Sequence, residues 1–164
     1  QLLKWGSYTA LCILLLVIQD VMLSQVRFSG ATTDLAVCII FLISLYEGTE
    51  NGSLFALIAS ILYLFSGSAA GNYTIVIITL LSIGVAFFRQ SYLRKGFSAS
   101  MLCVALATTL YQLAIFIIAA FLGLTAFSRI TAHLMSAALT LISAPILYPI
   151  VGGIRTIGGD AWKE

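Results

Sequence analysis

Apolar positions along this chain gather into six runs separated by short polar breaks. The runs cover about 5–25, 34–46, 52–65, 73–88, 97–123 and 130–154. Between them lie Arg27 to Gly30, Glu47 to Gly52, Ser66 to Asn72, and the loop after Phe88 that holds Arg89, Arg94 and Lys95. Apolar and polar residues do not alternate within the runs, as the strands of a membrane barrel would require. Helices satisfy their own backbone hydrogen bonds in hydrocarbon, so helix is the reading for all six. A spanning helix needs about 20 apolar residues, and the second and third runs fall short. They form either a hairpin that thins the local bilayer or a re-entrant pair shielded by protein. One continuous helix over 34–65 would put Glu47 and Glu50 at its middle, and a charge at the membrane centre costs about 2.5–3.5 kcal/mol. The pattern therefore predicts an all-α polytopic membrane bundle, with about six transmembrane helices in a single domain over 1–164.

Composition strengthens this picture. Of the 164 residues 61% are hydrophobic and only 9% charged. A soluble domain carries roughly 25% charged residues, and one this poor in charge would expose large apolar patches and aggregate. The first run carries a basic flank at Lys4, but it exceeds a signal-peptide core and no small-residue cleavage site follows, so it reads as a retained helix. The net charge of +2 is too small to imply a nucleic-acid partner.

The basic residues bear on topology instead. Six spans gather Lys4, Arg89, Arg94, Lys95, Arg155 and Lys163 on one side, leaving Arg27 and Arg129 on the other. The excess of Lys and Arg on cytoplasmic loops then puts both termini in the cytoplasm. Five spans with an external N-terminus divide the charges just as unevenly; the polar break at Glu47 to Gly52 favours six.

Candidate chemistry is sparse. His133 is the one histidine, and no acid or nucleophile in the sequence pairs with it as a triad would require. It reads as a helix-end residue near the interface. Cys12, Cys38 and Cys103 lie inside apolar runs without a C-x-x-C pair and read as packing residues, so no metal site and no cofactor are expected. Gln19, Asp20 and Gln25 form a polar group near the outer end of the first span, and Gln112 in mid-span should bond another helix.

Gly48, Gly52, Ala56 and Ser60 stand four residues apart and make a flat stripe of small side chains. Such a stripe admits close helix approach. It serves either internal packing or the docking of another protein's helix. Arg89, Arg94 and Lys95 form a cytoplasmic basic patch that sets topology and attracts anionic lipid, or meets a cytoplasmic partner.

From Gln19 to Gly71 the chain resembles the bacterial rod shape-determining MreD family. That family shows a glutamine in the first span, then a glycine, a Pro-Asp-Leu start to the second span, a glycine-stepped third span and a closing Ser-Gly. Gln19 and Gly30 match the first two features, Asp34 and Leu35 match the Asp-Leu, and Gly48 and Gly52 match the stepped glycines. Ser66, Gly67 and Gly71 match the closing turn. Thr33 replaces the usual proline, Ala56 and Ser60 replace glycines, and Leu64 stands where the family commonly has Asp. The second half of the chain matches only in length, hydropathy and the basic loop.

The resemblance implies a non-enzymatic scaffold subunit of the cell-elongation complex in the bacterial inner membrane. Such a subunit docks the transmembrane helix of MreC, and through it helps link MreB filaments to a RodA-type glycosyltransferase and a class B penicillin-binding protein. The small-residue stripe is the candidate contact surface. The family is also similar in fold to the substrate-binding subunits of energy-coupling-factor transporters. The competing reading is a binding subunit for a vitamin-like molecule, with an outward pocket lined by Gln19, Asp20, Gln25 or the 67–72 loop. An intramembrane enzyme is the weakest reading, because the spans hold so few ionisable groups.

Overall fold

A computed structural model describes residues 2–23, 35–66, 72–92, 97–123 and 126–155. The described chain is an all-helical bundle. Helix α1 (Leu2–Ile18) runs into a single π-helical turn, Gln19–Leu23. Next come α2 (Leu35–Glu47), α3 (Thr49–Phe65), α4 (Tyr73–Tyr92) and α5 (Phe97–Phe121). A 3-10 turn, Phe127–Arg129, leads into α6 (Ile130–Arg155). The helix α6 continues through Pro145 and Pro149. Each proline removes one backbone donor, a loss that helices in membranes tolerate where neighbouring groups satisfy the freed carbonyl. Both prolines lie on the outer side of the bundle.

The shortest of the six α-helices stands at the centre. Every residue of α2 from Leu35 to Leu45 is buried, and α1, α3, α4, α5 and α6 all pack on it. The sequence explains this placement, since LAVCIIFLISL is apolar around its whole circumference and offers no polar face to water. A helix of that kind belongs inside. With 13 residues it is about 20 Å long, below the roughly 30 Å of a hydrocarbon core. Protein rather than lipid surrounds it, so its length need not match the bilayer.

The outer helices carry the complementary pattern. Leu102, Leu106 and Leu110 on α5, Ile142, Ile146 and Ile150 on α6, and Val76, Leu80 and Phe87 on α4 are all exposed. Three segments, Leu2–Val21, Ser98–Phe121 and Phe127–Ile154, are long and apolar enough to cross a membrane; 35–47, 50–65 and 73–88 are shorter apolar helices. An exposed belt this apolar suits lipid and would aggregate in water. The architecture is that of a polytopic helical membrane protein.

The helix ends differ from the apolar runs where polar residues join a helix. Thr49, Glu50 and Asn51 form the first turn of α3, and an acidic side chain at a helix N-terminus is favourable. Arg89 likewise lies within α4, whose helix continues to Tyr92.

Candidate functional site: two polar clamps and a close-packed hairpin

Helices α2 and α3 are joined by one residue, Gly48, whose φ of 87° lies in the left-handed region. Glycine adopts that conformation without a Cβ penalty. Its N–H donates to the Ser44 carbonyl at 3.3 Å, and its carbonyl accepts from the Gly52 N–H at 3.0 Å. One turn further on the two backbones nearly touch. A Cβ placed on Gly52 would sit 2.8 Å from Ser44 Cα and 3.1 Å from the Ser44 carbonyl oxygen. The Ser44 hydroxyl donates to the Gly52 carbonyl at 3.3 Å.

This geometry answers the question posed by the small-residue stripe. Gly52 is occupied by α2 of the same chain, and Ala56 and Ser60 are fully buried within the bundle. Gly48 forms the turn itself. Within this bundle the stripe serves internal packing. In lipid, close van der Waals contact replaces the absent hydrophobic drive between helices, and this hairpin uses its small residues to obtain that contact.

A charged group lies beside the turn. Glu47, the last residue of α2, is 3% exposed. Its Oε1 accepts from Lys4 Nζ at 2.8 Å and from the Tyr8 hydroxyl at 2.8 Å. Trp5, Tyr8 and Phe55 pack their rings together, with Tyr8 and Phe55 centroids 6.0 Å apart, and help exclude water from the ion pair. In the sequence Lys4 reads as a basic flank and topology marker, and Glu47 as part of a polar break. The signal that joins them is register: in an antiparallel pair, the start of the first span and the end of the second share one depth.

The second clamp lies at the other end of α1. Gln19 is buried and opens the π-helical turn. Its Oε1 accepts the Ala36 backbone N–H at 3.2 Å. The first N–H groups of a helix lack partners within the helix, and the Gln19 carboxamide supplies one to α2. Gln19 is thus engaged inside the protein. Asp20 beside it is exposed. Gln25, Arg27, Gly30, Asp34, Gly67, Gly71, Arg94 and Lys95 lie outside the described residues. Leu35 opens α2 in the core, Ser66 ends α3 with its hydroxyl donating to the Tyr63 carbonyl at 2.7 Å, and Arg89 falls in the last part of α4.

A third polar contact joins α5 to α6. Gln112 Oε1 and His133 Nδ1 are 3.1 Å apart, so the mid-span glutamine bonds a neighbouring helix as its position required. The His133 ring packs edge-on against Phe116 at 5.4 Å. Cys12, Cys38 and Cys103 are all buried. Among the described residues no three His, Cys, Asp or Glu side chains come together as a metal site. No protein-family model, no curated protein and no solved structure matches the chain.

Proposed function

We propose that this chain is an MreD-like, non-enzymatic scaffold subunit of the bacterial cell-elongation complex, with six spans and both termini in the cytoplasm. One observation carries the reading. The first-span glutamine of the resemblance, Gln19, bonds the Ala36 N–H in the first turn of α2. The glycine-stepped third span finds a physical purpose in the same hairpin, at the Gly52–Ser44 approach. Among the described residues of the resemblance, Gln19, Gly48 and Gly52 lie at contacts that join α1, α2 and α3, which supports reading the chain as a membrane platform.

The function of such a platform is docking. Its partner is the transmembrane helix of MreC, and through MreC the platform connects MreB filaments with the RodA-type glycosyltransferase and the class B penicillin-binding protein. Because the small-residue stripe is filled from within, docking belongs to an outer face of the bundle. A fold similar to that of energy-coupling-factor binding subunits goes with this proposal.

Affinity purification of the tagged chain from its own membranes in mild detergent tests the reading. MreC should co-elute, and depletion of the chain should round the cells. A co-eluting transporter module or a retained vitamin-like molecule, with cell shape unchanged on depletion, would replace the scaffold by a small-molecule binding subunit.

A further inference from the structure

The inner stripe of α1 reads Tyr8, Cys12, Leu15, Leu16 and Gln19, all buried. Its two ends are polar: Tyr8, with Lys4 one turn before it, binds Glu47, and Gln19 binds the α2 backbone. Cys12, Leu15 and Leu16 fill the interval, with Leu11 and Ile18 partly buried against the same core. Opposite them, Ile13, Leu14, Val17 and Val21 are exposed. In water the burial of these apolar residues would itself hold the helix down. In lipid the hydrophobic drive between helices is absent, and van der Waals packing and polar contacts remain. What α1 forfeits on leaving α2 is that packing together with its polar contacts.

We infer that α1 is a latched strap, held on α2 by the Lys4–Glu47–Tyr8 and Gln19–Ala36 contacts and released as a unit when they are broken. The two latches differ in kind. Glu47 is buried, and a buried charge deprived of its partner is strongly unfavourable. Breaking that end therefore drives α1 and the α2–α3 turn apart, letting water reach the carboxylate. The Gln19 end loses a single neutral hydrogen bond, a smaller effect. Release also opens the side of α2 that α1 covers, since the other helices remain packed around the rest of it.

The native cysteines report this motion. Cys12 belongs to the strap and Cys103 to α5, and both are buried in the closed bundle. The full chain in detergent is treated with a coumarin maleimide, and each cysteine is followed separately by peptide mass spectrometry. Lys4→Met should raise the labelling rate of Cys12 roughly tenfold or more while leaving Cys103 protected. Gln19→Ala should raise it less, and the double variant most. The charge swap Lys4→Glu with Glu47→Lys should restore protection. Continued protection of Cys12 in the double variant would mean that apolar packing holds the helix, and would overturn the latch. Joint exposure of Cys12 and Cys103 would mean general unfolding and would equally overturn it. So would a swap that restores nothing, since Lys4 would then act through its packing rather than its charge.

Discussion

Gly52 is where the smallest change should have a large effect. A methyl group there would meet backbone atoms of Ser44, with Cα only 2.8 Å away, and backbone cannot rotate aside as a side chain can. Overpacking of this kind costs typically about 1–3 kcal/mol. Gly52→Ala should therefore lower the thermal unfolding midpoint in detergent, and Gly52→Leu should prevent stable folding. Gly48→Ala should also destabilise, by about 1 kcal/mol, through its left-handed backbone. Gly153 is exposed with open space around it, so Gly153→Ala should leave the midpoint unchanged or slightly raised. Equal midpoints for the three alanine variants would contradict the close approach. The ion pair makes a second prediction at this scale. Removing one partner of a buried pair costs roughly 3–5 kcal/mol, whereas replacing both by apolar groups is far less harmful. Lys4→Met should destabilise more than the Lys4→Met, Glu47→Leu double variant, and a double-mutant cycle on unfolding free energies measures the difference. What was legible at this scale followed chemistry. Gln112 in mid-span had to find a neighbouring helix, and it finds His133. Glu47 was not legible, because a carboxylate in a Gly-rich break has the composition of a solvated loop; only the pairing of α1 with α2 brings Lys4 and Tyr8 to it.

The elements show why helix type was easy to read and helix role was not. Long apolar runs without alternation can only be helices in lipid, and described helices occupy each run. Length misled on rank, however. The second run, like the third, falls short of a full span, yet α2 is the bundle's axis. Its apolar run from Leu35 to Ile43 marks burial on all sides, whereas longer α5 and α6 present outward rows of Leu and Ile. Run length measures fit to a bilayer, and circumference measures fit to protein; the two signals separate here. This distinction predicts a labelling pattern. A lipid-soluble diazirine photolysed in reconstituted vesicles should modify α5 around Leu106 and α6 around Ile146, both exposed. It should leave the Leu35–Leu45 peptide unmodified. Labelling of α2 comparable to that of α6 would show that lipid reaches the centre and would undo the axial placement.

On the scale of the whole molecule, the contacts at the ends of α1 fix the path of α2 through the bundle. Lys4 and Gln19 are fifteen residues apart on one helical rod, a distance of about 22 Å at 1.5 Å per residue. Glu47 meets the first and Ala36 meets the region of the second, so α2 runs nearly the full interval antiparallel to α1. The Lys4 end also holds the end of α6, where a Cβ on Gly152 would lie 3.5 Å from the Tyr46 hydroxyl. The start of α1, the α2–α3 turn and the end of α6 therefore share one end of the bundle. An interval of about 22 Å is shorter than the roughly 30 Å hydrocarbon core, so either the bilayer thins beside α2 or surrounding protein shields its ends. The α2–α3 turn lies at the end of the bundle that holds the start of α1, and α3 runs from there toward the other end. Asn51 and Asn72 are exposed positions near those two ends and permit a direct test with Asn51→Cys and Asn72→Cys. With cytoplasmic termini, a membrane-impermeant maleimide added to intact spheroplasts should label the Asn72→Cys protein and spare the Asn51→Cys protein until the membrane is permeabilised. The inverse pattern would turn the molecule over while preserving its fold. Labelling of both from one side would mean that α3 does not cross, and the hairpin would then be re-entrant despite the Lys4–Glu47 contact.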